Sequence, residues 1–250
     1  MFFGFNLNEI LAFPLKEENR KHLYIGIALS LLGFIIPVIP FIVIFGYGAQ
    51  IAKQILNDET PHLIAWDDWG KLFQDGLKVF VARFIVNIPI LILVIPIMLV
   101  SFIFPFVLDG ANSIDVEKIL PIYFLVIFGG ICFLIPISLI LAVVTPAAEM
   151  KVIETDEFSA LFRFKEWWQV FRANLSGFVA AFGIYYLLTF VLSFAIQILM
   201  VTVILSCLLI VLLPAITFYV TIIMYVTSAI AYKDGKAKLA QALESPNASA

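Results

Sequence analysis

Charge is what this chain has least of. Charged residues make up 13% of it and hydrophobic residues 63%, where soluble domains carry about 25% and about 45–50%. Four stretches, 22–52, 84–108, 119–148 and 173–232, contain no Asp, Glu, Lys or Arg at all. An ordinary soluble domain is thereby excluded. The apolar stretches do not alternate polar and apolar residues, which excludes the strands of an outer-membrane barrel. Cysteine is limited to Cys132 and Cys207, both inside apolar segments. They read as packing residues, not as a disulfide or metal pair. Histidine is limited to His22 and His62, both in polar segments near an interface, where they read as surface residues. Phosphate-binding loops, Gly-rich dinucleotide turns and Cys/His metal spacings are missing, so no catalytic residue, cofactor-binding residue or metal ligand is assigned. A net charge of −3 gives no reason to expect nucleic acid.

What is present is membrane sequence. A helix needs roughly 20 apolar residues to cross the hydrocarbon core. Residues 84–108 and 119–148 each suit one span, and 173–232 suits two with a turn near Thr202 to Ser206. Lipid leaves no partner for free backbone groups, so all should be helical. The fold expected is an all-α integral membrane bundle with four full spans. It forms one membrane domain over residues 1–236, followed by a polar, disordered tail over 237–250. Residues 1–22 carry six charged side chains and do not read as a cleavable signal peptide.

The most polar region repeats itself. Residues 49–84 laid on 147–182 without a gap match at 13 of 36 positions. The matches include Lys53 with Lys151, Asp58-Glu59 with Asp156-Glu157, and Trp69 with Trp167. Basic residues cluster at Lys53–Arg83, Lys151–Arg172 and Lys233–Lys238, while 109–118 holds only Lys118. The positive-inside rule puts the repeated loops and the C-terminus in the cytoplasm and 109–118 outside. Residues 22–52 are too short for two full spans. If they make one kinked span, the basic residues divide 11 inside to 4 outside; if they turn back at Pro37-Val38-Ile39-Pro40, the division is 14 to 1. Proline breaks a helix interior. A shorter re-entrant hairpin with both ends cytoplasmic is therefore the reading adopted, with the single kinked span as the alternative. Each repeat unit, about 1–53, 57–151 and 155–233, then pairs an interfacial helix with an apolar hairpin. Each ends on Ala-x-x-x-Lys, at Ala49 to Lys53, Ala147 to Lys151 and Ala229 to Lys233.

Trp66, Trp69, Phe73, Leu77, Phe80 and Phe84 fall at steps of three or four, as do Phe158, Leu161, Trp168, Phe171, Leu175 and Phe178 apart from one step of seven between Leu161 and Trp168. Each set is one face of a helix. Such a helix suits the headgroup region, where tryptophan is favoured. Trp66, Trp69, Phe73, Trp167, Trp168 and Phe171 are the residues expected to anchor in the interface or to dock a partner. Asp58, Glu59, Asp156 and Glu157 are expected to start these helices, where acidic groups favour the positive dipole end and cap it. Asn87 and Gln197 are the strongest polar residues within the spans. They read either as helix–helix hydrogen-bonding groups or as markers of a solute path.

Several runs carry a family resemblance: Ala12-Phe13-Pro14, Phe45-Gly46-Tyr47-Gly48, Trp66-Asp67-Asp68-Trp69-Gly70 through Gly76-Leu77-Lys78, and the Phe-rich 158–171. On these the chain resembles a prokaryotic multi-pass membrane family, domain of unknown function 4013. The arginine usual after the Gly-Tyr pair is not evident here. The resemblance implies a multi-pass membrane protein and transfers no site residues. The function expected is a non-enzymatic scaffold, membrane-shaping protein or complex subunit of a prokaryotic cytoplasmic membrane. Its partners would be the bilayer and a membrane protein or a second copy. The alternative is a transporter or channel for a small, weakly polar solute.

Overall fold

A computed structural model describes residues 5–110, 116–201 and 207–244. Among these residues the chain is helical and forms no strand. The helices are α1 (Leu7–Ala12), α2 (Arg20–Ile35), α3 (Ile39–Leu56), α4 (Trp69–Val86), α5 (Ile88–Gly110), α6 (Val116–Thr155), α7 (Phe164–Ala173), α8 (Leu175–Met200) and α9 (Leu209–Glu244). Five of them, α3, α5, α6, α8 and α9, are long and apolar enough to cross a membrane. The all-α bundle expected from the apolar runs is the fold observed. The turn expected near Thr202 to Ser206 lies outside the described residues, as do residues 245–250. Residues 237–244, the first part of the polar tail, continue α9 as its last turns. Their run of Ala, Lys, Leu and Gln is made of strong helix formers.

The fold divides into two compact units, Met1–Ala82 with Pro146–Ala250, and Arg83–Thr145. In the first, α9 is the hub and packs against α2, α3, α7 and α8. Tyr47, Ile51, Phe178, Phe218, Ile222 and Tyr225 are among its fully buried side chains. In the second, α5 and the start of α6 meet through Phe104 stacked on Tyr123 at 3.9 Å, and Gly130 sits against Ile97. Most of the other large apolar side chains there, such as Met98, Phe102, Leu125 and Phe133, are exposed.

Residues 20–56 form a helical hairpin. Phe34 and Phe41 meet edge-on at its tip, and α2 packs back on α3. The reversal occurs at the proline cluster, with Val38 at φ 78° and ψ −62° and its flanking groups joined by a bond from Ile39 N to Pro37 O. That is a γ-turn, a strained shape for a β-branched residue. Prolines at 37 and 40 remove the donors that would have continued a straight helix.

α3 and α4 approach each other closely at two glycines. A Cβ built on Gly46 would stand 1.8 Å from Leu72 O, and one built on Gly76 would stand 1.8 Å from Ile42 O. The two glycines are therefore the crossing point. Backbones come this near only where side chains are missing.

Candidate functional site

In the first copy of the repeated sequence the chain turns where α3 stops; this turn with the helix after it, and the corresponding stretch of the second copy, are termed the first and second elbows. Glu59 N donates to Gln54 O and Asp58 N to Ile55 O, the paired bonds of a Schellman motif. Asp58 holds the left-handed position of that motif at φ 65°. Its partner 98 residues later, Asp156, follows α6 at φ 59°. Both acids thus terminate helices. They do not start them, which corrects the sequence expectation for Asp58 and Asp156; Glu59 also belongs to the Schellman motif, while Glu157 stands at the N-cap position of the turn that follows. The reason is that aspartate, like glycine, tolerates the left-handed shape a helix end needs. Glu157 precedes a short 3-10 turn, Phe158–Phe162, without a side-chain cap, and instead pairs with Arg163 at 3.0 Å. The acid that does start a helix is Asp68, whose Oδ1 accepts from Lys71 N at 2.9 Å ahead of α4. This is an N-cap in the usual sense.

Between Asp58 and Asp68 the chain is pinned by side chains. Gln54 Oε1 accepts from His62 N, and Tyr47 Oη donates to Ile64 O at 2.9 Å. Trp66 stacks on Tyr47 with ring centres 4.0 Å apart, and its Nε1 donates to His22 O at 3.1 Å. Phe218 of α9 closes the cluster against both rings. Trp66 is therefore a core residue and is not open to a partner.

The two copies of the repeated sequence face opposite ways. Trp69 is 46% exposed and Phe73 38%, while their counterparts Trp167 and Phe171 are 4% and 5% exposed. On α4 the buried face is Leu72, Gly76, Val79 and Ala82, so Trp69, Phe73, Leu77 and Phe84 form an outward stripe. In the second copy Trp167 Nε1 donates to Leu161 O at 3.0 Å, and Phe171 packs on Phe178. Trp168 is half-buried, stacked between Phe164 and Phe171. Of the six aromatic candidates, Trp69 and Phe73 remain accessible, Trp168 partly so, and Trp66, Trp167 and Phe171 hold the fold together.

The second elbow also breaks where the first does not. Asn174, at φ −133° and ψ 44°, separates α7 from α8. It is buried, its Nδ2 donates to Ala231 O at 2.8 Å, and its Oδ1 accepts from Lys238 Nζ at 2.6 Å. Its counterpart in the first copy is Gly76, inside a continuous α4.

Ion pairs tie the elbows together. Asp156 accepts from Lys53 at 3.0 Å and from Lys78 at 2.6 Å, and Lys78 also reaches Asp156 O at 3.0 Å. These two lysines hold the Asp156 carboxyl below the usual aspartate range, and the Asp156 bond raises Lys78 in return. Asp58 pairs with Lys233 at 2.6 Å, and Lys151 pairs with Glu166 at 2.9 Å. Lys236 and Tyr232 both bond to Glu154.

The two intramembrane polar candidates sit in different settings. Asn87 lies at the break between α4 and α5, where its Nδ2 donates to Arg83 O at 2.8 Å and reaches Thr145 Oγ1 at 3.5 Å. Gln197 is exposed on α8. No group of three or more His, Cys, Asp or Glu suited to a metal occurs among the described residues. Sequence reasoning missed Asn174, Tyr47, the Gly46–Gly76 crossing and the capping role of Asp68. Only the last had a local signal, an Asp placed directly before an amphipathic run.

A family described as Protein of unknown function (DUF4013) matches this chain over residues 29–201. No curated protein and no solved structure matches it significantly.

Proposed function

The chain belongs to the DUF4013 family, and we propose for it a non-enzymatic role in a prokaryotic cytoplasmic membrane: a scaffold that shapes the bilayer or holds a membrane partner at its cytoplasmic face. The observation that carries this reading is the outward stripe of Trp69, Phe73, Leu77 and Phe84 on α4. A stripe of large apolar side chains beside Lys71 and Gln74 suits the headgroup–acyl boundary. It lies on the same short stretch as Lys78 and Asp75, so one helix offers both an apolar and a charged flank.

In this reading three units, about 1–53, 57–151 and 155–233, each combine an interfacial elbow with a helical hairpin. The exit lysine of each unit is paired with an acid of another unit: Lys53 with Asp156, Lys151 with Glu166, and Lys233 with Asp58. The matching left-handed φ at Asp58 and Asp156 supports treating residues 49–84 and 147–182 as copies of one design. Both termini then lie in the cytoplasm, and the α2–α3 hairpin enters the membrane without crossing it.

Reconstitution into vesicles tests the role. The intact protein should remodel the vesicles or retain a partner under mild detergent, and Trp69→Ser with Phe73→Ser should abolish that effect while leaving the fold intact. Unchanged vesicle shape together with no co-purifying partner refutes the reading. Topology is tested separately with Asn6→Cys in a chain whose exposed Cys132 and Cys207 have been replaced. An impermeant thiol reagent should fail to label Cys at that position from outside intact cells. Labelling there overturns the hairpin topology.

A further inference from the structure

We infer that the apolar groove between α1 and α8 seats one acyl chain of a phospholipid, with the phosphate beside Arg172. The groove encloses about 840 Å³. One wall is every fourth residue of α8, from Leu175 through Val179, Gly183 and Leu187 to Val191, and the other is Leu7 and Leu11 of α1. Ser176, at the Leu175 end, is the one hydroxyl in the lining. Tyr219 Oη donates to Leu11 O at 2.9 Å, which holds α1 in place against α9 and keeps the groove open.

The dimensions and the charge argue for a lipid tail. Sixteen residues of α8 separate Leu175 from Val191, which is about 24 Å of helix. One leaflet of hydrocarbon is about 15 Å, half of a core of about 30 Å, so a tail lying along α8 stays inside the groove for its whole length. The width comes from Gly183, whose missing side chain leaves open space with no atom within 4 Å of a built Cβ. Arg172 stands three residues ahead of Leu175, exposed in the last turn of α7, so at most about 10 Å of backbone separates the two. It makes no ion pair among the described residues. A guanidinium is the side chain best matched to a phosphate, and here it lies at the end of the groove that carries the hydroxyl. This inference rests on the reading that the chain is a membrane protein.

The test uses the full chain in nanodiscs containing phosphatidylglycerol with a photoreactive group in its acyl tail, and mass spectrometry to locate the adducts. Adducts should concentrate on residues 175–191 and on Leu7 and Leu11. Gly183→Trp fills open space, so it should melt like the parent chain yet lose adducts at the groove by roughly tenfold, the factor that goes with about two buried methylenes. If that variant fails to fold, Gly183→Leu serves the same purpose with a smaller side chain. Arg172→Gln should remove the preference for phosphatidylglycerol over an uncharged diacylglycerol carrying the same probe. Even labelling of α5, α6 and α8, or groove labelling that Gly183→Trp leaves unchanged, overturns the inference while the membrane reading stands. Absence of labelling on every helix overturns both.

Discussion

Replacing Gly46 or Gly76 by alanine should loosen the first unit at the α3–α4 crossing. The added Cβ at either position would stand 1.8 Å from a carbonyl oxygen of the facing helix and 2.8 Å from the amide nitrogen of the other glycine. Carbon atoms pack at about 3.5 Å or more, so the helices must separate by roughly 1.5 Å. No rotamer change can supply that, because every obstructing atom is backbone. Overpacking costs about 1–3 kcal/mol, and more where nothing can yield, while alanine regains about 1 kcal/mol of helix propensity over glycine. The net loss should be about 2 kcal/mol for either single variant. The double variant should lose much less than the sum, since one separation admits both methyls and the sites share a single contact. Thermal unfolding in a fixed detergent gives the stabilities. Trp66, stacked on Tyr47 next to Gly46, should also move to redder emission as the crossing opens. Gly129→Ala is the control, since no atom lies within 4 Å of its built Cβ. If Gly46→Ala and Gly76→Ala melt with Gly129→Ala, the argument from the crossing is wrong.

Other outcomes follow from the same side chains. Asp156 is held below its ordinary pKa by Lys78 and Lys53, so its contribution is present above the unfolded value of about 3.9 and disappears as pH falls through the lower folded value. Melting followed across that acid range should fall more steeply for the parent chain than for Asp156→Asn. The gap at neutral pH should be within about 1 kcal/mol because the pairs are solvent-exposed; equal acid slopes would contradict the assignment. Asn174→Ala should cost about 1–3 kcal/mol by stranding buried polar groups and should speed amide exchange at the α7–α8 junction; unchanged exchange would count against its role as a pin. Asp58→Ala should be about 1 kcal/mol less stable than Asp58→Gly, because an L residue pays for the left-handed shape that glycine adopts freely. Equal melting of the two would remove the Schellman assignment.

Much of this architecture was readable from residue order alone. Uncharged runs located α5, α6, α8 and α9, since lipid and length leave a helix little choice. Pro37 and Pro40 located the reversal between α2 and α3 because a missing donor acts within a single turn. The functional candidates were harder, for a definite reason. A three-four spacing says that side chains share a face, but not whether that face meets protein or lipid, because both surroundings are apolar. Trp69 and Trp167 are identical in sequence register and opposite in environment, and only the packing of α9 against α7 separates them. Asn174 was invisible because no proline or glycine marks the break at that position; its bond to Ala231 spans 57 residues. The meeting of Gly46 with Gly76 is likewise a long-range fact.

The sparse second unit has a consequence for handling the protein. Its α5–α6 pair has almost no interior of its own: the windows of both helices that qualify as spans have no buried residues. Water would give its exposed isoleucines, leucines and phenylalanines no reason to stay apart, and only the surrounding amphiphile keeps them ordered. The first unit carries its stability in side-chain packing; the second borrows it from its solvent. Chemical denaturant and choice of detergent should therefore act as two nearly independent controls, one on each part of a single chain.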